Sequence, residues 1–276
     1  MRVLLQRIEV NYESAEDAVE YALSGFLGTL EEFTLLQQHF CPSFYQLPKR
    51  DQIKLALQIF SGCLPSHFGP ELIRSIVGMD DLVAADINEV QSFWTISSTL
   101  VHTTAQQVGD CQRYLQQSDN VRGKQLSCDP YNDLFRELLW LGADVHTIAN
   151  DMTPFQAFLK GYFSMSTFSR LRNGSNACNS AVHTWLGNLD TVGIDLAAYG
   201  EAEQYNWINK ASRREFSGWN IEEQSFDTQR VIGFAYGPSP KDWHIWLAEA
   251  SDPLVGQFWD MFERPVEEMP GSWPEK

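Results

Sequence analysis

Leu138-Leu139-Trp140-Leu141-Gly142-Ala143-Asp144-Val145-His146, followed shortly by Met152-Thr153-Pro154-Phe155-Gln156-Ala157-Phe158-Leu159, reads as the end of one helix, a short polar excursion and the start of the next helix. Leu138, Leu139 and Leu141 cluster at helical spacing. Gly142 can take a positive φ, which ends a helix without a steric cost. Asp144 and the pair Asn150-Asp151 suit tight turns. Thr153 is an N-cap type, and Pro154 fits the first helical position, where a missing N–H costs nothing.

Related stretches lie on both sides. Upstream, Ser98-Thr99-Leu100-Val101-His102 opens a helix, and Thr153 stands 54 positions after Thr99. Downstream, Gly193-Ile194-Asp195-Leu196 repeats the shape of Gly142-Ala143-Asp144-Val145 at a spacing of 51. These motifs resemble ankyrin repeats, in which "TPLHxAxxxG" opens the first helix and "LLxxGAD" ends the second. The likeness covers residues 69–200 and is similar to divergent ankyrin-type regions of large, uncharacterised fungal proteins.

The resemblance implies an ankyrin-like helical solenoid with irregular, expanded repeats, since the family period is about 33 residues. It assigns structural places to Thr99, His102, Gly142, Asp144, Thr153, Pro154, Gly193 and Asp195. Thr99 and His102 are expected to tie neighbouring repeats through backbone bonds. The departures are Leu100, where proline is usual, and a polar insertion over Tyr114 to Ser127.

Elsewhere the pattern predicts a short strand from Arg2 to Val10 and helices from Ser14 to Leu23 and from Thr29 to Phe40. Further helices are expected over Asp51–Phe60 and over Glu71–Val77, the latter ended by Gly78. Asp80 to Gln91 is a polar excursion and Asn173 to Asn179 a polar loop. Helices follow at Ala181–Leu189 and Ala197–Ile208, then a strand at Gln229–Tyr236. Ser239 and Pro240 predict a helix over Lys241–Glu249, and Asp252-Pro253 another over Leu254–Glu263. The chain is mainly α, divided into an N-terminal helical region at 1–68, a repeat region at 69–209 and a small α+β extension at 210–276.

Composition narrows the function. The net charge is -16 over 276 residues, which disfavours nucleic acid and anionic membranes as partners and favours a protein with a basic face. Five cysteines, an odd number with no C-x-x-C, fit reduced buried thiols in an intracellular, cytoplasmic or nuclear, setting. The apolar run after Met1 is too short for a signal peptide, and no segment approaches a membrane span.

No nucleotide-binding loop, nucleophile elbow or zinc-protease motif occurs. Cys63 with His67, Cys178 with His183, and His39 with Cys41 are spaced too loosely for a structural zinc site. No catalytic residue, cofactor or metal is assigned. The expectation is a non-catalytic scaffold whose partner-facing side chains are Asp86, Asn88, Glu89, Gln91, Gln106, Gln107, His146, Thr147, Asn150, Asp151, Gln156 and Lys160. The alternative is an enzyme with a helical pocket built from dispersed His, Cys and acidic residues. The aromatic cluster Trp243, Trp246, Phe258, Trp259 and Phe262 reads as the apolar faces of two helices packed on the last repeat, in preference to a partner-binding groove.

Overall fold

The computed structural model describes residues 48–62, 69–93, 96–117, 127–164, 174–209, 215–220 and 225–249. The elements expected over Arg2–Val10, Ser14–Leu23, Thr29–Phe40 and Leu254–Glu263 lie outside these residues. The described chain is mostly helical. Its helices are α1 Lys49–Gly62, α2 Gly69–Val77, α3 Ala84–Asn88, α4 Leu100–Gln117, α5 Asp129–Trp140, α6 Pro154–Ser164, α7 Gly174–Thr191 and α8 Leu196–Asn209. Two small antiparallel sheets complete it. One pairs β1 Gln91–Phe93 with β2 Ile96–Ser98. The other has the order β3 Glu215–Asn220, β4 Ser225–Ala235, β5 His244–Glu249.

The helix ends are set by glycine chemistry. Gly142 has φ 96° and Gly193 has φ 82°. Ala143 N–H bonds Leu138 O at 2.9 Å and Gly142 N–H bonds Leu139 O at 3.0 Å. The same pair of bonds closes α7, from Ile194 to Leu189 O at 3.1 Å and from Gly193 to Asp190 O at 2.9 Å. Both helices thus end in a left-handed glycine cap that satisfies their last carbonyls. Asp195 then caps α8, accepting from Ala197 N–H at 2.9 Å and Ala198 N–H at 3.1 Å.

The centre of the fold is the crossing of α4 on α6. A Cβ built at Gly109 would fall on the carbonyl oxygen of Phe158, and one at Gly161 on that of Gln106, so two glycines let the helix backbones touch. Around this crossing Phe135, Phe155, Phe158 and Trp185 pack ring to ring, with Phe135 and Trp185 centroids 4.4 Å apart. One cluster of buried apolar side chains runs from Ile53 to Ile245, crossing the divisions at 68/69 and 209/210 expected from sequence.

The three-stranded sheet packs on α6 and α7. Phe216 stacks on Phe163 at 5.8 Å, and Phe155 meets both Phe234 and Trp243 edge-on. The outer edge of β5 is bonded by a side chain: Asn179 Oδ1 accepts from Ile245 N–H at 2.7 Å and Asn179 Nδ2 donates to Ile245 O at 3.3 Å. That removes one exposed edge position. His183 Nε2 donates to Trp243 O at 3.0 Å.

Several expectations are corrected. Lys241–Glu249 is not a helix. Ser239 caps only a 3-10 turn, Pro240–Asp242, and the chain then enters β5. Trp243 and Ile245 point inward while His244 and Trp246 are exposed, a period of two, so the aromatic cluster is not a pair of helical faces at these positions. The loop expected over Asn173–Asn179 is helical from Gly174 onward, where α7 starts, burying Cys178 and presenting Asn179 to β5. The strand expected at Gln229–Tyr236 is longer, starting at Ser225, because β3 pairs along its first half.

Candidate functional site

The chain carries two linked polar joints at the N-termini of α4 and α6. In the first, Thr99 Oγ1 lies 2.8 Å from His102 Nδ1 and His102 Nε2 lies 3.0 Å from Met152 O. Met152 O can only accept, so Nε2 carries the proton and Thr99 Oγ1–H donates to Nδ1. Burial of this neutral imidazole pushes its pKa down to about 4, against the hydrogen bond to Met152. In the second joint, Thr153 N–H donates to Gln156 Oε1 at 2.9 Å and Gln156 N–H donates to Thr153 Oγ1 at 3.2 Å, a reciprocal cap. Thr153 Oγ1 in turn donates to Glu203 Oε2 of α8 at 3.0 Å.

His102→Ala removes both ring bonds, leaving the buried Thr99 hydroxyl without its ring acceptor and Met152 O with only the Ala149 N–H. Its expected cost is about 2 kcal/mol in urea unfolding. A variant with unchanged stability would mean the joint does not hold α4 to the following segment.

Between the joints the chain turns through 144–152. Asp144 Oδ1 accepts from His146 N–H at 2.8 Å and its Oδ2 from Thr147 Oγ1 at 3.1 Å. Asn88 clasps the same loop from α3, donating to Gly142 O at 2.9 Å and accepting from Asp144 N–H at 2.7 Å. Ala149 and Met152 exchange both backbone bonds across Asn150 (φ 51°) and Asp151 (φ 57°). Two successive positive φ values make the tight hairpin turn that Asn and Asp tolerate.

Beside this loop lies a wide cleft of about 620 Å³. Asp144 and His146 form one wall, and Ala198, Glu201, Ala202, Tyr205 and Asn206 of α8 form the other. Glu203 sits behind it, fully buried. Burial pushes the Glu203 carboxyl up to about 8, outweighing the Thr153 hydroxyl that lowers it. Burial lowers the His146 imidazole as well, so at pH 7 both groups are neutral. Their 4.0 Å separation is therefore not an ion pair, and the Glu203 carboxyl has Tyr199 and Trp207 of its own helix beside it as well as Thr153. The Tyr199 ring lies over His146 at 5.2 Å. The lining holds no cysteine, serine, lysine or arginine.

The structure separates the partner-facing residues expected from sequence into four groups. Asn150 and Asp151 project into solvent at the turn, and His146 and Thr147 are half-buried beside it. Asp86, Asn88 and Glu89 are half-buried on or next to α3, with Asn88 spent on the loop clasp and Glu89 3.2 Å from Arg50. Gln106 and Lys160 are half-buried on α4 and α6. Three expectations are corrected: Gln91, Gln107 and Gln156 are buried and face no partner. Gln91 Oε1 accepts from Arg50 at 3.4 Å, Gln107 Nε2 donates to Phe60 O at 3.0 Å, and Gln156 closes the cap at Thr153. Gln156 sits three residues after Thr153 as His102 does after Thr99, so the 54-residue spacing already marked it as the counterpart of a structural histidine.

Sequence inspection did not find Glu203. A single Glu within a polar helical stretch carries no motif; only the α8–α6 packing buries it. Among the described residues no group of three His, Cys, Asp or Glu side chains converges as a metal site, and no helix is long and apolar enough to cross a membrane. Cys63 and His67 lie outside the described residues. Cys111, Cys128 and Cys178 are buried thiols. No family model, curated protein or solved structure matches the chain.

Proposed function

We propose that the chain is an ankyrin-like helical stack acting as a non-catalytic scaffold that captures a protein with a basic face. The observation that carries this reading is the recurrence of one joint. A threonine cap, a partner three residues on, and a bond to a neighbouring segment occur at Thr99–His102 and again, 54 positions later, at Thr153–Gln156. Matched glycine caps at Gly142 and Gly193, each with an Asp two residues on, mark the other end of each unit. Repeat stacks of this kind present extended surfaces and projecting turns to partners. Here the turn side chains Asn150 and Asp151 are exposed, and Asp144 and Glu201 lie exposed in the cleft beside them.

The reading supports recognition over chemistry, because the polar cleft has no cysteine or serine nucleophile beside His146. The proposed setting is the cell interior, where buried thiols such as Cys178 stay reduced.

Asp151→Asn tests the reading, since Asn keeps the left-handed conformation and removes the charge. Proteins captured from an extract of the native cell by the whole chain are quantified by mass spectrometry. The basic members of the set are expected to fall at least threefold with the variant while its melting temperature stays within about 2 °C. A captured set identical for both chains, or one without basic proteins, overturns it.

A further inference from the structure

We propose that Cys111 and Cys128 are a peroxide-sensitive thiol pair that closes into a disulfide and clips α4 to the start of α5. The two sulfurs are buried 2.6 Å apart. That leaves no room for an atom between them and falls within about 0.6 Å of the length of a disulfide bond. The inference is independent of the scaffold reading and stands or falls without it.

Both sulfurs are carried on fixed backbone. Cys111 lies on α4 two residues past Gly109, where α4 touches the backbone of α6. Cys128 is the N-cap of α5, and its carbonyl accepts from Tyr131 N–H at 3.1 Å and from Asn132 N–H at 2.9 Å. Its neighbours are tied to each other, Ser127 Oγ accepting from Asp129 N–H at 3.1 Å. Neither helix has to move for the sulfurs to meet, so each thiol stands at high effective concentration beside the other.

A shared metal ion does not account for the pair. Two thiolates on one tetrahedral zinc stand about 3.8 Å apart, given a Zn–S bond of about 2.3 Å. No third ligating side chain joins them among the described residues. Cys178 is buried as well, but no second thiol lies beside it among the described residues, which makes it the internal control.

The oxidant is hydrogen peroxide, small enough to reach a nearly closed site. Cys128 is 4% exposed and Cys111 0%, so Cys128 meets it first. The Cys128 sulfur attacks one peroxide oxygen and the O–O bond breaks. The products are a sulfenic acid and a hydroxide, which leaves as water with the thiol proton. The Cys111 sulfur then displaces the sulfenic hydroxyl, which leaves as a second water with the Cys111 proton. The two sulfurs together lose two electrons, and one peroxide is reduced to two waters. Contact with Cys128 and burial push the Cys111 thiol up, so it keeps its proton until the bond closes. The new bond spans 17 positions of chain and stabilises by restricting the unfolded state.

The test treats the reduced whole chain with hydrogen peroxide under native conditions, then unfolds it, alkylates the remaining thiols and digests it with trypsin. Cleavage after Arg113 and Lys124 leaves the two cysteines on separate peptides, so the bond is read by mass spectrometry as one linked pair. That pair is the expected main product, with Cys178 recovered alkylated and the link reversed by dithiothreitol. The oxidised chain should melt about 6 °C or more above the reduced one. Cys128→Ala should show neither the link nor the rise.

Recovery of both Cys111 and Cys128 alkylated after peroxide treatment overturns the proposal. So does a main link to Cys41, Cys63 or Cys178, or a linked chain that melts with the reduced one. These three outcomes are read on the unsubstituted chain and hold even if Cys128→Ala does not fold.

Discussion

Gly161→Ala should be among the most damaging single methyl additions to this protein, with Gly109→Ala close behind. In an ordinary helix the change is favourable, since alanine is better than glycine by about 1 kcal/mol in a helix interior. Here the new Cβ at 161 would overlap the Gln106 carbonyl, with Asp110 N also within 3.0 Å, and the one at 109 would overlap the Phe158 carbonyl. These are backbone atoms of the facing helix, so no side chain can rotate away. The helices must separate, and the aromatic packing of Phe155, Phe158 and Trp185 opens with them.

A loss of about 3 kcal/mol or more is expected, the upper end for overpacked cores. That corresponds to a fall in melting temperature of roughly 6–12 °C for a domain of this size. Gly187→Ala on α7 is the control, because nothing lies within 4 Å of its Cβ position. It should stabilise by up to about 1 kcal/mol. If Gly161→Ala and Gly187→Ala shift melting in the same direction, the α4–α6 contact is not as close as described.

Glu203→Gln should stabilise the protein above neutral pH and leave it nearly unchanged at pH 5. The folded carboxyl has its pKa raised to about 8, from 4.5, chiefly by burial. The folded state therefore holds its proton through a range in which the unfolded chain releases it. Stability from this group is fully present below about pH 4.5 and is lost as pH rises toward 8. The loss between pH 5 and 7.5 is on the order of 3 kcal/mol, at about 1.4 kcal/mol per pKa unit.

The glutamine keeps an oxygen to accept from Thr153 and does not titrate. Unfolding by urea at pH 5, 6.5 and 8 should show the variant gaining on the parent as pH rises. A difference that stays constant with pH would mean Glu203 is ionised in the folded state. Asp110 adds a loss of the same sign, since burial lifts its pKa from 3.8 to about 7 despite the Ser164 hydroxyl bond. His102 acts in the opposite sense, losing stability as pH falls from 6.5 toward 4. Comparing variant with parent isolates the Glu203 contribution.

Much of the local structure was legible because it is written in residues with a single dominant preference. Gly142 and Gly193 announce helix ends because few other residues accept their φ. Thr99, Thr153 and Pro154 announce helix starts because an N-terminus needs an acceptor and can do without one N–H. The helix over Leu196–Asn209 and the strand around Val231 follow from the spacing of apolar residues. The expected helix at Lys241–Glu249 failed because Ser239-Pro240 also caps a single 3-10 turn, and nothing local reveals that Asn179, far back in the chain, holds Ile245 as an edge strand.

The sequence by itself determined a mainly helical chain, the positions of its glycine and threonine boundaries, and a 54-residue spacing between two joints. Those are consequences of backbone sterics and capping, which act over a few residues. Only the tertiary structure decided what each polar side chain is for. Gln107 and Gln156 look like surface residues and are buried, Asp151 is exposed, and Glu203 is an ordinary helical glutamate until α8 is laid on the cap of α6. Burial and partnering are set by what a distant segment brings alongside, and one glutamine or glutamate reads the same in sequence whichever way that segment falls.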